Sequence, residues 1–315
     1  MDQNNKDFLV SVCMITYNHE NFIKEALQGI LSQVVSFNVQ VVILDDSSSD
    51  GTAKIIESFL IENFNFFSFE FQINKERIGV AKNFKKALEL CKGRYVAICE
   101  GDDVWNDRKK ITTQVSFLEN RDDCIASFHD SHFYSEKSEL IYGTVLNSNS
   151  KRKLKLTDFL SGNHTLTTQS VIFRKNFIKL PDQFFEVPNP DLLLFTYLAG
   201  MGDFHYHEDI GYALYRLHSS GYFSTQSRFK QTKGNKDTFL KISELYPNNE
   251  IVKRTILVKM NTTLVYALKE KKFIQGIKSI IEIFTFVSKD FLMIKEFLRL
   301  QKTTFNLFWK NTIVK

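Results

Sequence analysis

Residues 95–105, YVAICEGDDVW, run from an apolar segment into Glu100, Asp102 and Asp103 with a glycine among them. Like charges this close repel, and a carboxylate beside an apolar strand is costly to desolvate. Such a cluster calls for a cation or for an opening to solvent. Two other apolar runs end in a similar way: residues 8–16 lead into TYNHE and residues 39–46 into DDSSSD. Acids at neighbouring strand ends can hold a hard divalent cation and hydrogen-bond a sugar or a base. Mg²⁺ and Mn²⁺ prefer carboxylate and water oxygens, shared with a substrate's phosphates. Taken singly, each Asp is ordinary turn or helix-capping chemistry, and Asp50 before Gly51 and Thr52 reads as an N-cap. Their joint placement carries the functional reading.

The elements that would position them alternate. FLVSVCMIT (8–16) and VQVVILDD (39–46) are near-continuous apolar runs, as expected of strands covered on both faces. FSFEFQI (67–73) alternates, and RYVAICE (94–100) is a fourth strand. Between them, residues 20–33, 51–64 and 79–93 carry apolar residues at helical spacing, the last closed by Gly93 as a C-cap. This order predicts an α/β fold with a mostly parallel sheet and helices on both faces. A helix (107–120) and a strand (124–130) follow, then a polar stretch (134–153) whose NSNSKRK reads as a mobile loop. Residues 157–235 are mixed, with short strands at QSVIFR and IGYALYRLH, and helical patterns prevail from about 237. In an open parallel sheet, ligands bind beyond the carboxyl ends of the strands, where all three acidic stretches lie.

Composition narrows the class. Of the 315 residues, 43% are hydrophobic and 24% charged, which fits a soluble globular protein with a sizeable core. The four cysteines lack metal or redox spacing, and Cys13 and Cys99 sit in apolar runs, so buried free thiols in a reducing compartment are expected. No signal-peptide pattern or membrane-spanning run is present, and a cytoplasmic protein is expected. No G-x-G-x-x-G follows the first strand and no P-loop occurs, which argues against a dinucleotide-dependent oxidoreductase. A bound nucleotide would need a metal to hold its phosphates. The net charge of +5 is uneven: residues 261–315 hold ten Lys or Arg and four Asp or Glu, a net of +6. That tail lacks the dense basic runs of a nucleic-acid tract, so no nucleic-acid partner is expected.

The stretches VSVCMITYNHENFIKEALQGILSQ, VVILDDSSSDGT, NKERIGVAKNFKKALELCKGRYVAICEGDDVW and YRLH, taken in order, resemble the family 2 glycosyltransferases of the GT-A fold, over about residues 8–220. The resemblance implies a GT-A catalytic domain at 1–235, with a nucleotide-sugar half (about 1–130) and an acceptor half (about 131–235), and a C-terminal helical region at 236–315. It implies a nucleotide-diphosphate sugar donor, UDP-sugar favoured, a Mn²⁺ or Mg²⁺ ion, and inversion at the anomeric carbon. Thr16, Tyr17 and Asn18 would line the base pocket with Glu20 close by. Asp46, with Asp45, would accept from a base ring N–H, which suits uracil or guanine. Residues 74–82 would border the nucleotide, Arg77 and Lys82 among them. Asp103 is the implied metal ligand and Asp102 the contact to ribose or to metal-bound water. The family often has Asp where this chain has Glu100, and the longer arm puts a direct role there in question.

Inverting transfer needs a base for the acceptor hydroxyl. The resemblance points to Asp191 in VPNPDLLLFTYLAG, with Asp209 and Glu208 as fallback positions. Asp at a helix start is also favoured as a cap, and the helix dipole would lower its pKa, weakening it as a base. Arg216 and His218, in YRLH, would reach the pyrophosphate and the metal. Trp105 either stacks on an acceptor sugar or packs. The helical tail, KKFIQGIKSIIEIFTFVSKDFLMIKEFLRLQKTTFNLFWK (271–310), either packs on the catalytic domain or lies on the inner membrane surface with lysines toward anionic lipid. The acceptor implied is a saccharide or lipid-linked glycan of a bacterial surface polysaccharide, with an oligomer left open. The alternative is a non-catalytic nucleotide-sugar-binding partner subunit of a glycan-assembly complex. The intact acids speak against it, since a copy without turnover has no need of a repulsive cluster.

Overall fold

The structure, a computed structural model, describes residues 7–61, 66–135, 140–175, 180, 187–219, 221, 225–290 and 293–300. The first apolar run forms β1 (Val10–Thr16), every residue of it buried. The next elements are α1 (Ile23–Leu31), β2 (Val39–Asp45), α2 (Thr52–Leu60), β3 (Phe67–Ile73), α3 (Val80–Leu90) and β4 (Tyr95–Ile98). They follow the sequence pattern, with two local corrections. The α3 helix stops at Leu90, before Gly93, whose role is close approach: a Cβ there would lie 2.4 Å from the Ser11 backbone nitrogen. Asp50 lies one residue before the N-cap Gly51, and its Oδ1 accepts from the Thr52 N–H at 3.0 Å. Residues 62–65 of the second expected helix lie outside the described residues.

Beyond β4 come β5 (Val104–Trp105), α4 (Lys110–Glu119), β6 (Cys124–His129), β7 (Ser131–Ser135), β8 (Leu140–Thr144), α5 (Leu156–Ser161), β9 (Ile172–Arg174), α6 (Pro190–Ala199), β10 (Asp203–His207) and β11 (Ala213–Leu217). The main sheet has the order β10-β6-β9-β4-β1-β2-β3. β4, β1, β2 and β3 pair in parallel, as do β6 and β10, while β9 runs antiparallel to both of its neighbours. A second sheet, β5-β11-β7-β8, joins the strand after the acids to the strand carrying Arg216. The core lies between β1, β2 and β4 and the helices, with Met14, Ile23, Leu27, Ile43 and Tyr95 fully buried. All four cysteines are buried free thiols.

The polar stretch 147–153 is pinned where a mobile loop is expected. Asn147 Oδ1 accepts from the Ser150 N–H and Oγ–H, and Lys151 and Lys153 pair with Asp130 and Asp123. Polar composition here supplies specific bonds instead of solvation. By contact, the chain forms two units: residues 1–159, 163–186 and 194–225, and residues 160–162, 187–193 and 226–315. In the second, α7 (Arg228–Leu245), α8 (Glu250–Lys269) and α9 (Phe273–Val287) follow one another. Helical structure begins at Arg228, ahead of the expected 237, because Ser227 caps α7 and its opening turns are polar and include Gly234. No helix among the described residues is long and apolar enough to cross a membrane.

The α4 helix opens on a fully buried lysine. Lys110 donates to Gln114 Oε1 at 2.7 Å and lies 4.7 Å from the Trp105 ring centroid. Burial pushes its ammonium down to about 7, against smaller opposing effects of Cys99 and Asp107. In the unfolded chain a lysine titrates near ~10.4, so between these values the unfolded state binds more protons. Stability from this group is complete above the unfolded pKa and is lost as pH falls toward the folded one. Lys110→Met is expected to remove up to about 1.4 kcal/mol per pH unit from the rise in unfolding free energy between pH ~7 and ~10. Denaturant melts across that range check it; an unchanged slope contradicts it.

Candidate active site

The site is built from loops at the carboxyl ends of β1, β2 and β4. Asn18 (φ 56°) and Ser47 (φ 63°) hold the left-handed backbone that side chains rarely adopt. Reciprocal bonds fix them. The Asn18 N–H donates to Ser48 Oγ at 2.9 Å, and the Ser49 N–H donates to Asn18 Oδ1 at 2.9 Å. Glu20 and Asp50 continue the clasp: the Glu20 N–H donates to Asp50 Oδ2 at 3.1 Å, and the Gly51 N–H donates to Glu20 Oε2 at 2.7 Å. Asp45 accepts from the Ser48 N–H and Oγ–H at 2.7 and 2.5 Å. The structure thus gives Asn18, Glu20 and Asp45 loop-holding bonds.

Asp46 gathers the next loop. Its carboxylate accepts from Asn74 Nδ2 at 3.0 Å and from the N–H groups of Ile78 and Gly79 at 2.8 Å each. That draws residues 74–79 over the end of β2 and sets the Arg77 guanidinium 4.0 Å from the Tyr17 ring centroid. Three of the roughly four acceptor sites of a carboxylate are thereby occupied. Lys82 is exposed on the first turn of α3.

The acid turn sits directly against the β1 loop. The Gly101 N–H donates to the Ile15 carbonyl at 3.0 Å, and a Cβ at Gly101 would lie 2.7 Å from Thr16 Oγ1 and 2.8 Å from His19 Nδ1. Only glycine fits between the acids. Both of those buried atoms lack a hydrogen-bond partner. Asp102 Oδ2 lies 3.0 Å from His218 Nε2 and 3.8 Å from His19 Nε2. Burial pushes the Asp102 carboxyl up, but the two imidazoles outweigh it and hold it below its usual value. Asp103, 5% exposed, has no such partners: burial, then Asp102 and Glu100, push its carboxyl well up. The longer arm of Glu100 reaches sideways to accept from Thr168 Oγ1 at 3.1 Å.

Arg216 braces this turn from behind. Its Nε donates to the Asp102 carbonyl at 3.1 Å, one terminal nitrogen lies 2.5 Å from Glu25 Oε2, and its guanidinium carbon is 5.0 Å from the Phe22 ring centroid. At 8% exposure Arg216 supports the acid turn. Trp105 follows the packing alternative: it is 2% exposed, and its Nε1–H donates to the Gln169 carbonyl at 2.8 Å.

Asp191 belongs to the second unit and stands in the first turn of α6. The helix-dipole expectation is reversed in sign, because burial pushes its carboxyl above the usual range and outweighs the backbone N–H bonds. Asp209 is largely exposed on the turn between β10 and β11, 3.3 Å from His207 Nδ1, and Glu208 is exposed beside it. Sequence reasoning passed over His19 and Glu25. His19 sits within the TYNHE stretch, where its neighbours drew the reading; Glu25, on the polar face of α1, carries no signal of its own.

A divalent cation is testable against these donors. Among the described residues no group of three or more His, Cys, Asp or Glu side chains is arranged to hold one. The donor types present, an Asp102 carboxylate 3.0 Å from an imidazole with the buried Asp103 next to it in sequence, are of the kind a hard cation takes. Asp103 and His218 are the residues expected to hold it, with Asp102 as the contact to ribose or to metal-bound water.

Comparison with known proteins gives concordant results. Residues 11–180 match the model of the family described as glycosyl transferase family 2. An Escherichia coli protein named UDP-Glc:alpha-D-GlcNAc-diphosphoundecaprenol beta-1,3-glucosyltransferase WfaP is 34% identical over 135 residues, 43% of this chain and 50% of that one. The chain spans about half the length of the relatives it matches first. Among solved structures, S. aureus TarS (residues 1–349) in complex with UDP-GlcNAc superposes with a TM-score of 0.63 at 18% identity, covering 88% of this chain and 80% of that one. The mannosyltransferase PcManGT from Pyrobaculum calidifontis, in complex with GDP-Man and Mn²⁺, gives 0.58 at 16% identity, covering 96% and 91%. These likenesses establish the GT-A fold with a helical C-terminal region.

Gly101→Ala is expected to cost about 1–3 kcal/mol, because its methyl would press on the backbone-anchored Thr16 and His19. Urea melts measure it, and an unchanged midpoint would show that the acid turn is not held so closely.

Proposed function

The chain belongs to glycosyl transferase family 2, and from that membership we propose that it moves a sugar from a nucleotide-diphosphate donor, UDP-sugar favoured, to a saccharide or lipid-linked acceptor hydroxyl. The observation that carries the reading is Asp102 between two imidazoles, beside Asp103, at a strand end abutting the loops after β1 and β2. That is the switch-point position where open parallel sheets bind ligands. Tyr17 and Arg77, stacked on each other, border the base; the remaining acceptor capacity of Asp46 takes a ring N–H, with Thr16 and Lys82 facing base and phosphate. The likeness to a UDP-GlcNAc complex and the name of the E. coli relative support uridine, and the GDP-Man complex keeps guanosine as the comparison.

In the proposed transfer the acceptor oxygen attacks the anomeric carbon. The bond to the diphosphate breaks, its electron pair leaves with the nucleoside diphosphate, and the acceptor proton passes to a carboxylate. Asp191 is the carboxylate proposed for that proton: its carboxyl is pushed above the usual range, which makes it a stronger base than a free aspartate. Backside attack would invert the anomeric centre. Asp103 and His218, with Asp102 between His218 and the ribose, would hold Mn²⁺ or Mg²⁺, which when bound neutralises the charge developing on the leaving diphosphate. Arg216 fixes the acid turn and Glu25 fixes Arg216. Surface-polysaccharide assembly, with peripheral contact to the inner membrane face through the C-terminal helices, completes the proposal.

Thermal melts with UDP or GDP, with and without Mn²⁺, test it. Mass action gives about 2.7 kcal/mol of stabilisation at a ligand concentration a hundred times Kd. A rise requiring both metal and UDP is expected, and Asp103→Asn should abolish its metal-dependent part; melts indifferent to every pair contradict the proposal. Asp191→Asn is expected to keep the nucleotide-dependent shift and lose at least about 10²-fold in turnover. Retained turnover removes Asp191 from the mechanism.

A further inference from the structure

The α9 helix carries two apolar faces, and only one is used inside the fold. Gly276, Ser279, Ile283 and Val287 are buried, and Gly276 allows close approach: a Cβ there would lie 3.3 Å from Leu268 Cδ2 of α8. The second face is open. Phe273 (65% exposed), Ile274, Ile277, Ile280 and Ile281 are exposed, and Phe284 (60%) lies 5.9 Å from the Phe297 ring. At about 100° per residue these six fall within an arc of about 120°. The polar arc beside them holds Lys278 and, just past the helix, Lys289, both exposed, while the one acid of the helix, Glu282, is paired with Lys236 at 2.6 Å. So a continuous apolar stripe is bordered by lysines, on a tail whose sequence carries a net +6 from ten basic and four acidic residues over 261–315.

We infer that this face of α9 is an in-plane membrane anchor that inserts Phe273, Ile277 and Ile281 into the headgroup boundary of an anionic leaflet, with Lys278 and Lys289 at lipid headgroups. The geometry is that of an interfacial helix: the apolar arc enters the acyl boundary and the basic edge meets negative lipid. A protein partner is disfavoured by charge. A helix-in-groove contact has no need of basic residues beside the stripe, whereas an anionic surface matches both Lys278 and Lys289. The inference gives a residue-level basis to peripheral membrane contact and does not rest on the transfer chemistry.

Vesicle flotation of the full chain tests it, using phosphatidylglycerol mixed with phosphatidylethanolamine against phosphatidylcholine alone. The chain is expected to float with the anionic vesicles, less so as salt is raised. Ile277→Asp with Ile281→Asp should lower that partition at least about tenfold, and Lys278→Glu with Lys289→Glu should weaken binding to anionic vesicles only. Melting temperature and the UDP-dependent shift, measured on the same variants, report folding and donor binding separately, so a failed anchor is distinguishable from a failed donor site. Wild-type chain that stays unbound, or an Asp variant that floats equally well, overturns the inference. So does a wild-type dimer that becomes monomeric in the Asp variant without vesicle binding, which would assign the face to a second copy.

Discussion

Placing Glu100, Asp102 and Asp103 at the end of a buried strand creates repulsion and desolvation that the rest of the molecule is arranged to meet. Each carboxyl is answered differently. Glu100 reaches a threonine hydroxyl, Asp102 lies between two imidazoles, and Asp103 is left with a raised affinity for a proton. The two aspartates differ: imidazoles hold the Asp102 carboxyl below its usual value, and burial with like charge pushes the Asp103 carboxyl above it.

Precision at that turn comes from its neighbours. A glycine between acids allows the chain to press against Thr16 and His19, and two left-handed residues, Asn18 and Ser47, turn the β1 and β2 loops toward each other. Such backbone is unfavourable in isolation and persists only where surrounding bonds over-determine it. Here the bonds are reciprocal, from Asn18 to Ser48 and Ser49 and from Glu20 to Asp50 and Gly51. Glu20 and Asp45, acids expected at a base pocket, thus bond to the loops after β1 and β2.

The fold was legible because buried parallel strands and amphipathic helices leave distinct periodicities, and the order of the motifs pointed to the family. What escaped the sequence depends on tertiary contact. Trp105 follows the acids in sequence, yet the second sheet encloses it. Asp191 begins a helix, yet burial outweighs the helix dipole. Gly93 resembles a cap but serves close packing, and the polar stretch 147–153 resembles a mobile loop but is tied by ion pairs. His19 and Glu25 act through residues distant in sequence, Asp102 and Arg216, so no local pattern could single them out. Burial and long-range pairing, not residue type, decide these cases.

The two units differ in character. In the first, polar groups are gathered at strand ends and held by other polar groups; in the second, helices leave an apolar face with basic borders. The central claim is that the acid turn after β4 gathers a divalent cation and a donor's diphosphate beside the β1 and β2 loops. Anomalous diffraction from crystals grown with UDP and Mn²⁺ tests it most directly. The account predicts one manganese peak contacting Asp103 or Asp102, with His218 and diphosphate oxygens in its shell and the uracil beside Tyr17. A manganese peak remote from these residues, with UDP bound away from the β1 and β2 loops, would contradict it.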